Sequence, residues 1–185
     1  MLSAYMSSRG LPESGVRLSL QERPAGQSGW TDLRRAVTSS GGTVSVRTTP
    51  LTSNTAFRFA DGPGVTSATV TVTVVLRVRM TEVKSRGSNH LALSVSAALA
   101  RPGDEVVVQA RTTGGWRDVR TGRVGQHGLP VIVNMPPKYA GARVRAVLRA
   151  TTAHAASVSN RLTIRPGAFR NRRLRERMPR PGQSR

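Results

Sequence analysis

The 185-residue chain has no cysteine and few aromatic residues: two Trp, two Tyr and three Phe. Without cysteine there are no disulfides, thiolate nucleophiles, Cys-ligated zinc sites or iron–sulfur clusters. No run of about 18 apolar residues occurs, so no membrane-spanning helix is expected. Acidic side chains are scarce, and no two carboxylates pair for acid–base work. Asp104 and Glu105 are adjacent, so on a strand they point to opposite faces. The histidines, His90, His127 and His154, lack the short spacing of metal ligands. "ADGPG" (60–64) and "RPGDE" (101–105) read as turns; neither is a glycine loop opening a helix to cradle phosphate. A triad of Ser157, His154 and Asp118 can be drawn, but no nucleophile elbow or oxyanion-loop motif accompanies it. These absences lead to the expectation of a non-enzyme with no catalytic residue, cofactor or metal.

Short segments of period-two alternation fill most of the chain. "VRLSLQER" (16–23), "TVSVRTT" (43–49), "TAFRFA" (55–60) and the long "SATVTVTVVLRVRM" (67–80) lie in the first half. "LALSVSAAL" (91–99), "EVVVQARTT" (105–113), "PVIVNM" (130–135), "ARVRAVLRAT" (142–151) and "SVSNRLTIRP" (157–166) lie in the second. Such alternation, bounded by Gly, Pro, Asn and Asp, marks half-buried strands. Turn signals every 8–12 residues favour a sandwich or barrel.

The chain also repeats itself. "SGWTDLRRAVTSSGG" (28–42) returns as "GGWRDVRTGRVGQHG" (114–128), with Trp30 and Trp116 separated by 86 residues. Leu20-Gln21-Glu22-Arg23 aligns with Val108-Gln109-Ala110-Arg111, Val46 with Ile132, and Phe57-Arg58 with Val144-Arg145. Agreement in order and spacing over about 60 residues marks an internal repeat. The fold expected is all-β: two tandem immunoglobulin-like β-sandwich domains and a disordered basic C-terminal tail. The boundaries expected are 1–80 for the first domain, 81–88 for a linker, 89–166 for the second domain and 167–185 for the tail. Only "LSAYMSSRGLPESG" precedes the first domain's pattern, whereas the second opens with "LALSVSAALARPGDE". The first domain is therefore expected to lack its first edge strand.

Val16 to Arg23, Gly29-Trp30, Gly41-Gly42, Thr55-Ala56-Phe57-Arg58 and Ser67 to Val72 resemble the tandem immunoglobulin-like, transthyretin-like β-sandwich repeats of actinobacterial secreted and cell-surface proteins. The second copy keeps Gln109, Arg111, Gly115-Trp116, Gly128 and Arg145, with Val144 where the first has an aromatic. The resemblance spans roughly Leu11 to Arg165. It implies spacer, adhesive or carbohydrate-binding modules that act by display and contact.

Trp30 and Trp116 are read as core plugs, one for each sandwich, because apolar Leu33 and Val119 follow three residues on. Asp32 and Asp118 are read as turn-stabilising carboxylates or cross-strand partners of arginines, and Arg58 and Arg145 as structural. The net charge is +20, with 29 Lys+Arg against 9 Asp+Glu, and all but Lys84 and Lys138 of the cations are arginine. The tail from Arg165 to Arg185 holds eight Arg and one Glu. Its Arg170, Arg172, Arg173, Arg175, Arg177 and Arg180 are the candidate polyanion contacts. The partner expected is an anionic cell-wall polymer or polysaccharide, with nucleic acid bound through the tail as the alternative. The start, "MLSAYMSSRG", lacks the basic-then-apolar pattern of a signal peptide. The location expected is extracellular or at the cell surface if Met1 is not the true start, and cytoplasmic if it is.

Overall fold

The computed structural model of the chain describes residues 1–62, 64–83, 91–126 and 130–166. These form two compact units: Met1–Val75 with Ala150–Ala155, and Leu76–Arg149 with the described residues from Ala156 onward. Among the described residues, apart from short 3₁₀ turns such as Pro137–Tyr139, the regular structure is all strand.

In the first unit, β1 (Leu2–Tyr5) is followed by the short pair β2 (Ser7–Ser8) and β3 (Leu11–Pro12). Then come β4 (Arg17–Pro24), β5 (Thr31–Val37), β6 (Thr43–Val46) and β7 (Thr55–Asp61), with β8 (Val65–Thr66) and β9 (Val70–Val72). One antiparallel sheet runs β5-β4-β7-β8, with β9 also on β7, and β1 pairs β6 in the other. Alternation decides which side chains meet. Leu18 and Leu20 of β4, Phe57 and Phe59 of β7, and Val44 and Val46 of β6 form one buried cluster drawn from both sheets, which makes the unit a sandwich. The opposite face of the larger sheet carries Gln21, Arg23 and Arg58.

The second unit repeats the plan. Its strands are β10 (Val78–Val83), β11 (Leu91–Ala97), β12 (Glu105–Thr112), β13 (Gly115–Arg123), β14 (Val131–Met135), β15 (Arg143–Leu148), β16 (Ser157–Val158) and β17 (Leu162–Thr163). The larger sheet runs β13-β12-β15-β16, with β17 on β15, and the smaller one runs β10-β11-β14. Met80, Leu93, Met135, Leu148 and Ile164 are fully buried between them.

The units differ at their first strands. The period-two run 67–80, read from sequence as one strand of the first domain, is divided. β9 stays in the first unit, whereas β10 pairs along its whole length with β11 of the second. β10 contributes Val78 and Met80 to the second core. Among the described residues β1 has β6 as its one strand partner, and a recess of about 130 Å³ opens beside Leu2, Ala4, Leu20, Phe57, Phe59 and Val70. Of the expected 81–88 linker, residues 81–83 belong to β10 and the rest lie outside the described residues, as do residues 167–185.

Gly122 sits in β13 opposite Val106, where the first unit has Ala36 opposite Leu18. A Cβ at Gly122 would collide with Val131 Cγ1, a β-branched side chain in the core. Gly122→Ala is therefore expected to lower stability by about 1–3 kcal/mol through overpacking. Gly114→Ala, whose added methyl would stand 3.8 Å from an Arg117 guanidinium, leaves stability nearly unchanged. Urea denaturation of the two variants checks both.

Candidate functional site

The repeated residues converge on the outer face of the larger sheet in each unit. In the first, Gln21 of β4 stands between Asp32 of β5 and Arg58 of β7 in the strand register. Its amide donates from Nε2 to Asp32 Oδ1 at 2.9 Å, and its Oε1 accepts from Arg58 Nε at 2.8 Å. In the second, Gln109 stands between Asp118 and Arg145, donating at 2.7 Å and accepting at 2.9 Å. Glutamine suits the middle place because one side chain carries both a donor and an acceptor. The sequence reading joined aspartate to arginine directly; in the structure the glutamine lies between them. The repeated Leu-Gln and Val-Gln dipeptides were the available signal.

Each oriented guanidinium lies over a tryptophan. Arg58 is 4.3 Å from the ring centre of Trp30, and Arg145 is 4.3 Å from that of Trp116. Arg23 joins the first ring at 4.7 Å; its counterpart Arg111 stands 5.8 Å from the second. Such stacking contributes about 0.5–1 kcal/mol per cation at exposed sites.

This corrects the core-plug expectation. Trp30 and Trp116 are only half-buried, and neither belongs to the buried core. The physical reason is strand parity. Residues i and i+2 share a face, so Trp30 lies with the solvated Asp32; a residue at i+3 falls on the other face. The apolar Leu33 and Val119 were therefore evidence for an outward tryptophan. A β-bulge interrupts the alternation just after each aspartate. In both units the register skips a residue on the edge strand, leaving Leu33 and Val119 without cross-strand partners. Phe57 and Phe59 fill the first core instead.

The second cluster carries more charge than the first. Arg149 pairs with Asp118 at 2.9 Å and with Glu105 at 3.7 Å. Arg161 lies 5.8 Å from the Trp116 ring, and a recess of about 190 Å³ is lined by Arg111, Trp116, Arg143 and Arg161. Asp118, the acid of the triad drawn from sequence, is thus held by Gln109 and Arg149. Ser157 Oγ accepts from the Leu76 amide, and buried His154 has Nδ1 3.1 Å from the Ala155 carbonyl. Among the described residues no group of three or more His, Asp or Glu is placed to hold a metal ion. Arg170, Arg172, Arg173, Arg175, Arg177 and Arg180 lie outside the described residues.

No protein-family model matches the sequence, and no curated protein matches it. Among solved structures the chain is similar to the crystal structure of the chicken interferon gamma receptor alpha chain. The TM-score is 0.38 with 10% sequence identity, over 88% of this chain and 91% of that one.

If the glutamine couples carboxylate to guanidinium, Gln21→Ala and Arg58→Ala combine non-additively. A double-mutant cycle is expected to give a coupling of about 0.5–1.5 kcal/mol, with a similar value for Gln109 and Arg145. Trp30→Phe costs no more than about 1 kcal/mol. Phe57→Ala costs about 3–5 kcal/mol. Denaturation midpoints of the six single variants and the two double variants check this order.

Proposed function

We propose that the chain is a non-catalytic binding module of a secreted or cell-surface protein, contacting an anionic wall polymer or polysaccharide through the arginine-rich faces of its larger sheets. The observation that carries this reading is the group of arginines around Trp116. Arg111, Arg143 and Arg161 line one recess, while both ion pairs among the described residues belong to Arg149. Guanidinium groups without carboxylate partners, beside an aromatic surface, match a ligand that offers anionic groups on a ring-bearing chain. The repeated polar groups support a contact role, because Gln21, Asp32, Gln109 and Asp118 are engaged in holding the arginines in place. Among the described residues no helix is long and apolar enough to cross a membrane.

Binding to immobilised dextran sulfate tests the reading. Affinity is expected to fall about tenfold or more between about 50 and 200 mM salt, through release of the polymer's counterions. Changing Arg170, Arg172, Arg173, Arg175, Arg177 and Arg180 to Gln weakens binding but leaves it measurable. Loss of all binding in that variant would transfer the function to the tail, and DNA would then be the polymer to compare.

A further inference from the structure

The two units form an internal comparison. The Asp–Gln–Arg–Trp chain is the same in both, yet the second unit departs from the first around its tryptophan. Ala56 pairs with Arg23 across β4 and β7. Continuing the β12–β15 register one step beyond Ala110↔Val144 places Arg143 in the corresponding position, beside Arg111. Continuing β7–β9 and β15–β17 in the same way makes Thr69 the counterpart of Arg161. The second unit thus has arginine where the first has alanine and threonine.

These substitutions go against the stability of the sheet. Like charges set opposite each other across a ladder repel, and Arg111 with Arg143 is such a pair. Arg145 already supplies a close stack on Trp116, at 4.3 Å. Arg111 stands off at 5.8 Å where its counterpart Arg23 closes to 4.7 Å, and the recess opens between Arg111, Arg143, Arg161 and the indole. The nearest repeated carboxylate, Asp118, is taken by Gln109 and Arg149. Three exposed guanidinium groups converge on a space of about 190 Å³ and have no ion-pair partner among the described residues. An anion placed there would turn the mutual repulsion into attraction.

We propose that this recess is a binding site for a phosphate or sulfate ester group carried on a sugar ring. A tetrahedral oxyanion presents several oxygens in different directions, so guanidinium forks approaching from β12, β15 and β17 can each be met. A carboxylate, with its oxygens in one plane, satisfies one fork well. The indole offers an apolar surface to the ring that bears the ester. The first unit's Ala56 and Thr69 leave its cluster without these two further arginines. This assignment rests on the polyanion reading and narrows it to one site and one anionic group.

The test uses the full chain carrying Trp30→Phe, in which Trp116 is the single tryptophan fluorophore. Inorganic phosphate, inorganic sulfate and acetate are titrated at constant ionic strength. A saturable change in Trp116 emission is expected with phosphate or sulfate and not with acetate, and the better of the two identifies the ester. Arg143→Ala combined with Arg161→Thr installs the first unit's own residues, so the sheet keeps its fold. That variant is expected to bind at least tenfold more weakly, and to lose a comparable factor for dextran sulfate or polyphosphate. Arg77→Ala with Arg79→Ala removes the same charge from two exposed positions at the start of β10, in the smaller sheet, and serves as the control. Equal weakening by both pairs, or an equal response to acetate, overturns the site while leaving the polyanion reading standing. Saturable phosphate or sulfate binding without any polymer binding preserves the site and ends that reading.

Discussion

A glutamine amide held between a carboxylate and a guanidinium organises the outer face of each larger sheet. The amide hydrogen goes to the aspartate on the edge strand, and the amide oxygen takes the arginine Nε from the strand on the other side. Each bond contributes only about 1 kcal/mol net. Their geometric effect is larger, because a guanidinium fixed through Nε has its plane fixed as well. With the plane set, the cation lies at 4.3 Å over the indole in both units. Glutamate in the middle would lose the donor, and lysine would lose the acceptor. Three strands are tied by side chains as well as by their ladders, and the tie includes the edge strand, whose other side has no ladder in this sheet.

The same frame serves two ends. Around Trp30 the surrounding positions are small or neutral, and the cations close on the ring. Around Trp116 the neighbours are charged, two cations stand off at 5.8 Å, and a recess remains. Both units carry the aromatic–arginine stack, and two peripheral side chains that differ between them change what it presents to solvent. The inner faces record no such divergence in role: Leu18, Leu20 and Phe57 on one side, and Val106, Val108 and Val144 on the other, are all buried.

Much of this was legible in the residues. Period-two alternation marked the strands, and the repeat aligned Gln21 with Gln109 and Arg58 with Arg145, which the structure places in matching registers. The failures trace to parity and to pairing. Trp30 was assigned inward from an apolar residue three places on, a spacing that shares a face on a helix and not on a strand. Aligning Val46 with Ile132 was one residue out: Val46 is buried, whereas Ile132 is 55% exposed. A slip of one residue changes the face of every side chain in a strand. The run 67–80 shows no internal break in hydrophobicity, so its division between two units depends on β10 pairing with the next strand, β11, which the pattern of the run itself does not encode. Arg143 and Arg161 were passed over because they do not repeat. The repeat marks what the two halves share, and the candidate site lies in what they do not.

The unequal first strands have a consequence for how the two units breathe. β11 is hydrogen-bonded on both sides, to β10 and to β14, so its amides are released to solvent only when that sheet comes apart. β1 has one strand neighbour among the described residues, β6, and a recess beside it where the core is thin. Its opening requires the loss of a single ladder of Leu2 to Tyr5 and little buried area. In hydrogen–deuterium exchange the β1 amides should therefore empty early, at the low end of the chain's opening energies, while β11 keeps its protons until global unfolding. The two copies share one pattern and unfold from different depths.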